Sequence, residues 1–464
     1  MQALALDDFL RLLEPEGEPL GNKPDVPVRG VSIDTRTLQP GEAYFALAGE
    51  RFDGHDFVQD AFAKGAVLAV VRSGWPGRDR IQGKGFLVPV ADPLSSLQRL
   101  AANYRRRFEL PVLGLTGTNG KTTTKEMAAA VLARKYRVVK TPGNLNNHIG
   151  TPLSLLQLED RTDVAVIEMG TNHFGEIRRL CKIAAPTHGL ITNVGSGHLE
   201  FFGTVENVAR AKAELFESLP KEGVAFVNVD DPLVVKVAER VRSRFTYGFE
   251  NAADVQGRFL GLNGRACARI AVGGEEIQLQ VPGRHQIGNA LAAAAVGIFW
   301  EVPLEAIRDA LENYRSFSKR MEVHTWHGCT VLLDAYNSNP DSLRGALETL
   351  TELAEKSSGR AFAALGDMLE LGKWSEPAHR EAGRRAAGLG VAGLFLFGEF
   401  APLTCAGYRE AGGEICEIFS DKSQLAQTLA EILRPGDVLL IKGSRGMAME
   451  TVWESLRQRT PSFR

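Results

Sequence analysis

The chain has 464 residues, too many for one core of ordinary size and enough for roughly three domains. Its 54 Lys and Arg stand against 56 Asp and Glu, a formal net charge of -2, so no basic face announces nucleic acid and no charged tail announces a disordered arm. Five cysteines, at 181, 267, 329, 405 and 416, form no short-spaced pair, which argues against a disulfide framework or zinc site and for a reducing, cytoplasmic setting.

Residues 1–13 carry Asp7 and Asp8 and lack a basic leader before an apolar stretch, so they do not read as a signal peptide. Strand-like runs at 28–33 and 43–46, a Gly/Asp/His-rich turn at 49–55 and an alanine-rich stretch predict a small α/β domain over 1–108. The apolar run at 112–115 then leads through Thr116-Gly-Thr-Asn-Gly-Lys-Thr-Thr into a helix running to residue 134. Such a turn cradles phosphates. Its glycines let backbone N–H groups approach the oxygens, the helix N-terminus adds positive dipole, Lys121 neutralises the β/γ-phosphates and Thr122 offers a hydroxyl to Mg²⁺. Residue 115, where the usual phosphate loop has its first glycine, is leucine, so the working unit is the shorter Gly117, Thr118, Asn119, Gly120, Lys121, Thr122, Thr123.

Apolar runs at 137–139, 164–167, 189–192 and 224–227 alternate with helical segments such as 205–217, which predicts a mostly parallel sheet covered by helices. Residues 255–281 alternate as an antiparallel patch, and 285–300 reads as a helix whose apolar run, 290–300, is too short to span a bilayer. This completes a central ATP-binding domain over 109–314. After a break at 314–320 the alternation restarts at 330–333, 362–365, 394–397 and 438–441, predicting a third α/β domain over 315–464. The fold class is therefore α/β in three domains.

Ligands of open parallel sheets bind beyond the carboxyl ends of the strands, so polar residues there carry the most information. Glu168 ends one such strand and suits a divalent ion or a helix cap equally by position. His198 lies in the glycine-rich loop Asn193-Val-Gly-Ser-Gly-His-Leu-Glu, and a single histidine there is more often structural than a ligand. Lys212, flanked by alanines on an amphipathic helix, reads by itself as a snorkelling surface lysine. Asp334, Asp367, Lys442 and Arg445 close later strands and mark either a second ligand face or ordinary turns.

Taken together, Thr116-Gly-Thr-Asn-Gly-Lys-Thr-Thr, Val166-Ile-Glu-Met-Gly, Asn193-Val-Gly-Ser-Gly-His-Leu-Glu, Pro282-Gly-Arg-His-Gln-Ile-Gly-Asn-Ala, Phe317-Ser-Lys-Arg-Met-Glu and Asp334-Ala-Tyr-Asn-Ser-Asn-Pro resemble the Mur ligase family, in that family's order and over nearly the whole chain. The resemblance implies a UDP-sugar domain, a P-loop ATPase domain and a C-terminal dinucleotide-fold domain. It also implies ATP and Mg²⁺ as cofactors and amide-bond formation through an acyl phosphate. Within the family, Thr141-Pro-Gly-Asn-Leu-Asn-Asn-His-Ile-Gly and Ala364-Leu-Gly-Asp-Met-Leu-Glu-Leu-Gly imply UDP-MurNAc-tripeptide and D-Ala-D-Ala as substrates of a cytoplasmic monomer. Another amide-forming ligase of the superfamily, or a P-loop NTPase without ligase chemistry, stands as the alternative.

By the same resemblance, Thr122 and Glu168 bind Mg²⁺ and His198 a second metal. Lys212 matches a lysine carbamylated into a metal ligand, which reverses its reading in isolation. Asn289 contacts adenine, Arg320 reaches the γ-phosphate, Asp334 meets the ribose and Asn337 lies beside the nucleotide. Ser32, Asp34, Arg36, Asp53 and His55 fall in the UDP-sugar segment, where Arg36 and His55 would pair with the diphosphate and the two aspartates serve turns equally well. Asn144 and Asn147 would meet the muramoyl peptide, while Asn339, Asp367, Lys442 and Arg445 would form the dipeptide side.

Overall fold

The computed structural model describes residues 1–81, 85–316 and 319–461. Phe317 and Ser318, the first two residues of one motif quoted above, lie outside the described residues. The described chain is α/β throughout, with three β-sheets, and divides into two compact units.

The first unit comprises Met1–Leu115, Tyr136–Gly189 and Glu214–Val224. Strands β1 (Gly30–Ser32), β2 (Glu42–Phe45), β3 (Leu68–Arg72) and β4 (Leu87–Val90) form a parallel sheet in that order. Their apolar side chains, among them Tyr44, Ala69 and Leu87, pack with Leu38, Val58 and Ala61 in one core. The same unit places β7 (Val164–Glu168) between β6 (Val138–Lys140) and β5 (Val112–Thr116), all parallel. Every residue of β5 and β7 is buried, as near-continuous apolar runs covered on both faces require. The register pairs Leu115 with Glu168, so the carboxylate closes its strand one residue before the phosphate loop begins.

The second unit comprises Thr116–Lys135, Leu190–Ala213 and Ala225–Arg464. It holds the phosphate loop and helix α1 (Lys121–Leu132), most of helix α2 (Val205–Glu217) and helix α3 (Gln286–Phe299). Strand β9 (Val224–Asn228) neighbours β10 (Ser243–Gly248), which runs parallel to β11 (Val255–Leu262); this continues antiparallel into β12 (Cys267–Val272) and β13 (Glu275–Pro282), the patch that the alternation at 255–281 predicts. Strand β8 (His188–Ile191) is followed by Thr192, whose N–H donates to the Thr116 carbonyl at 3.0 Å.

A six-stranded sheet follows in the order β14 (Glu322–Trp326), β15 (Cys329–Asp334), β19 (Val438–Lys442), β16 (Ala361–Gly366), β17 (Gly393–Phe397), β18 (Ile415–Phe419). Only β14 is antiparallel to its neighbour. Successive residues point to opposite faces, so Leu332, Ala363 and Leu440 join one core with helix α4 (Pro340–Ser357), while Val331, Phe362 and Leu439 join another with Leu425 and Leu429. Strands β14 and β18 are not predicted from the sequence, because polar residues interrupt both and they lie at the sheet's edges.

The cysteine expectation needs correcting. Cys405 and Cys416, 11 residues apart, form a disulfide with Cα atoms 5.9 Å apart. A helix, Ala401–Glu410, and strand β18 bring together two residues whose spacing alone gives no signal. Cys181, Cys267 and Cys329 are free and buried. Among the described residues, no helix is long and apolar enough to cross a membrane.

Candidate active site

The phosphate loop is built around glycines that admit no side chain. Gly117 and Gly120 have φ of 153° and 78°, and a Cβ on them would lie 1.8 Å from Thr192 Oγ1 and 2.1 Å from Asn289 Oδ1. The loop is held through its own backbone. Asn119 N–H donates to Asn193 Oδ1 at 2.9 Å, and Thr192 Oγ1 and Asn193 Nδ2 donate to the Asn119 carbonyl at 2.7 and 3.0 Å. The Thr118 hydroxyl accepts from Gly195 N–H at 2.9 Å. Lys121 Nζ folds back onto the Gly117 and Thr118 carbonyls at 2.8 and 3.0 Å, which sets its ammonium at the mouth of the cradle. Thr122 and Thr123 are buried in the first turn of α1. Asn289 sits against that turn, its Oδ1 accepting from Thr124 Oγ1 at 3.1 Å and its Nδ2 donating to Gln286 Oε1 at 3.0 Å.

In the first unit, Glu168 is 1 % exposed; its Oε1 accepts from Asn146 Nδ2 at 2.8 Å and its N–H donates to Thr141 Oγ1 at 2.9 Å. Asn146, between the two asparagines singled out from sequence, is thus the one that meets the carboxylate. Asn147 instead accepts from the N–H groups of Ile149 and Gly150 at 3.1 and 2.9 Å, holding the turn into the next helix, and Asn144 is half-buried.

Lys212 on α2 is 2 % exposed, which removes the surface reading. Burial first, then the charge of Lys121, pushes its pKa well below the lysine value. No hydrogen-bond acceptor or counter-ion reaches its amine among the described residues. A buried ammonium without an acceptor is costly, whereas a neutral amine is the species that adds CO₂, losing a proton and becoming an anionic carbamate. The lysine therefore fits a carbamylated, metal-binding role. The described residues contain no cluster of three or more His, Cys, Asp and Glu side chains.

His198 has φ of 56°, and its Nδ1 lies 2.6 Å from Glu370, itself at φ of 63°. The carboxylate accepts, so Nδ1 carries a proton, and in the neutral tautomer Nε2 is the nitrogen with a lone pair for a metal. That hydrogen bond also holds the Glu370 carboxyl below its ordinary pKa. Glu200 N–H donates to the Glu370 carbonyl at 3.0 Å, tying the same two loops together.

Several residues expected on the dipeptide and ribose sides have structural tasks. Lys442, 2 % exposed, donates to Asp334 Oδ2 at 2.6 Å and to the Asn337 carbonyl at 2.9 Å, so it supports the 334–337 loop and is not presented to a ligand. Asp334 also accepts from Met321 N–H at 3.1 Å through Oδ1. Asn337 is exposed, and its Oδ1 accepts from Ser338 N–H at 2.9 Å. Asp367 is buried and accepts from Glu399 and Phe400 N–H groups at 2.7 and 3.2 Å, and burial raises its pKa; it anchors a turn. Asn339 caps α4 and also pairs with Asn119. Arg320 and Arg445 remain available, both stacked on Tyr336, with guanidinium carbons 3.7 and 5.6 Å from the ring centroid.

In the N-terminal segment, Asp53 caps a short turn and accepts from His55 Nδ1 at 2.6 Å, while His55 Nε2 accepts from Arg72 N–H at 2.9 Å. His55 is 3 % exposed with both nitrogens engaged, so the diphosphate role expected of it does not hold in this structure. Ser32 and Asp34 form a local turn, and the Arg36 guanidinium lowers the Asp34 carboxyl to about 2. Arg36 itself is exposed. Sequence reasoning does not single out Asn146, Thr192, Asn193 or Tyr336, although each lies inside or beside a quoted motif.

Three family models match the chain: the Mur ligase family catalytic domain over 27–105, the Mur ligase middle domain over 115–297 and the Mur ligase glutamate ligase domain over 319–445. UDP-N-acetylmuramoyl-tripeptide--D-alanyl-D-alanine ligase of Escherichia coli is 35% identical over 447 residues, covering 94% of this chain and 95% of that protein. The Bacillus subtilis enzyme of the same name is 34% identical over 433 residues, covering 92% and 93%. The crystal structure of MurF from Acinetobacter baumannii superposes with a TM-score of 0.87 at 29% identity, covering 99% of this chain and 100% of that one. MurF ligase of Thermotoga maritima, solved in complex with ADP, superposes with a TM-score of 0.81 at 30% identity, covering 93% and 97%. With matched domains spanning most of its length and full-length relatives of this identity, the chain belongs to the Mur ligase family.

Proposed function

We propose that the chain is an ATP-dependent ligase that adds D-alanyl-D-alanine to UDP-N-acetylmuramoyl-tripeptide, giving the UDP-MurNAc-pentapeptide precursor of peptidoglycan with ADP and phosphate. A carboxylate is a poor acylating agent. Its oxygen therefore attacks the γ-phosphorus of ATP, the bond to the ADP oxygen breaks, and an acyl phosphate forms. The neutral dipeptide amine then attacks the acyl carbon, and phosphate leaves carrying one former carboxylate oxygen. Lys121 and the loop amides neutralise the transferring group, so the protein contributes positioning and electrostatics. Mg²⁺ would supply positive charge to the phosphates; in the second unit Thr122, His198 and carbamylated Lys212 would hold metal, and in the first Glu168 is the residue suited to it.

The observation that carries this reading is Lys212, buried beside Lys121 with no acceptor. A P-loop switch has no use for a second buried lysine at its phosphate site, whereas a ligase that assembles two anions around metal does. In this proposal residues 1–108 hold the UDP-sugar, 109–314 hold ATP, and 315–464 present the dipeptide side and close over the nucleotide. Arg36 pairs with the diphosphate, Asn289 lies at the adenine, Asp334 and Asn337 line the ribose side, and Asn144 meets the muramoyl peptide. The enzyme acts as a cytoplasmic monomer on water-soluble substrates. Phosphate release measured with UDP-MurNAc-tripeptide, with and without D-Ala-D-Ala, tests the assignment: release that requires both substrates is expected, and release indifferent to both would overturn it.

A further inference from the structure

Arg320 sits on a strained piece of backbone. Its neighbours Lys319 and Met321 have φ of 61° and 56°, a region non-glycine residues seldom occupy. Three hydrogen bonds strap this segment down: Lys319 N–H to Glu322 Oε1 at 2.7 Å, Met321 N–H to Asp334 Oδ1 at 3.1 Å and Tyr336 N–H to the Lys319 carbonyl at 3.1 Å. The guanidinium then lies 3.7 Å from the centroid of the Tyr336 ring, and Arg445, from the loop after β19, lies 5.6 Å from the same centroid. No carboxylate pairs with either arginine among the described residues. Two cations share one aromatic ring, which takes the place that an acid ordinarily fills. An acid there would neutralise the pair; a ring stabilises both charges and leaves their N–H donors free for anions. Three residues beyond the ring, Asn339 Nδ2 donates to Asn119 Oδ1 in the phosphate loop at 2.9 Å, so the segment that carries Tyr336 is tied to that loop.

We propose that Tyr336 is a positioning residue that holds Arg320 and Arg445 as one paired-guanidinium site for the anions of the ligase reaction. The inference rests on the ligase reading given above. Steady-state kinetics of Tyr336→Leu should show kcat lower and KM for D-Ala-D-Ala higher by about tenfold each, with KM for UDP-MurNAc-tripeptide unchanged, because only the ring's hold on the two cations is lost. Tyr336→Phe should recover both parameters to within about twofold, since the ring and not the hydroxyl does the positioning. In an Arg320→Ala background, Tyr336→Leu should lower kcat no further. Tyr336→Gln is measured in parallel, so that a folding defect in one variant does not decide the matter. Wild-type parameters in a folded Leu or Gln variant, a Phe variant as impaired as Leu, or losses that multiply with Arg320→Ala would each overturn the inference. Absence of pentapeptide formation by the wild-type protein would instead overturn the ligase reading itself.

Discussion

The side-chain amide of Asn339, at the start of α4, donates to Asn119 Oδ1 in the phosphate loop at 2.9 Å. Its own Oδ1 accepts from Ser342 N–H at 2.9 Å, capping the helix. One residue of the six-stranded-sheet region thus both starts a helix and touches the ATP cradle, and Ser196 N–H donates to Asp341 Oδ2 at 2.8 Å in the same helix turn. The phosphate loop and the start of α4 are joined through amides that tolerate no shift of about 1 Å without losing a bond.

Asn339→Ala removes both the cap and the link, so it should cost about 1–2 kcal/mol of stability and lower turnover. Asn119→Ala removes only the link and should leave the unfolding midpoint close to wild type while lowering turnover. Urea unfolding and ligase rates on the two single variants and the double variant check this. Turnover losses that simply multiply would mean the amides do not act as a pair.

His55 and Arg36 separate a structural residue from an exposed one. Deleting the buried His55 ring leaves a void and removes the acceptor of the Arg72 N–H, so His55→Ala should cost about 2–4 kcal/mol in urea unfolding. Arg36→Ala should change stability by less than about 0.5 kcal/mol yet raise KM for the UDP-linked substrate. An unaltered KM in Arg36→Ala would remove that residue from the diphosphate site.

Lys212→Met replaces a buried, acceptor-free amine with an apolar chain of similar length. Turnover should fall by at least about 100-fold while stability holds or rises. The sign with pH follows from the lowered pKa. Between the folded pKa and about 10.4 the unfolded chain binds more protons, so the wild-type penalty is fully present below the folded value and fades as pH rises. In bicarbonate-free buffer, wild-type stability should therefore climb with pH relative to Lys212→Met; parallel curves would show that the amine is not penalised by burial.

How much the sequence reveals depends on whether a residue's task is local. Strands such as Val164–Glu168 and Val438–Lys442 are apolar runs buried on both faces, and they are legible from pattern alone. Gly117 and Gly120 are legible because a phosphate loop needs their backbone conformations. Tasks set by distant partners are not. Lys442 reads as a ligand until the structure buries it on Asp334, and His55 until both its nitrogens are engaged. Lys212 reads as a surface lysine from its alanine neighbours, since amphipathic spacing does not say which face meets another element. Tyr336 carries no signal, because its function is a stacking geometry with residues 16 and 109 positions away.

In the proposed reaction Lys121 and its loop direct the γ-phosphoryl group to a substrate carboxylate and not to water. UDP-MurNAc-tripeptide labelled with ¹⁸O in its terminal carboxylate tests it most directly, with the released phosphate analysed by mass spectrometry after a single turnover with ATP and D-Ala-D-Ala. Each phosphate should carry one oxygen from the labelled carboxylate. Phosphate carrying no label, its new oxygen drawn from solvent water, would contradict it.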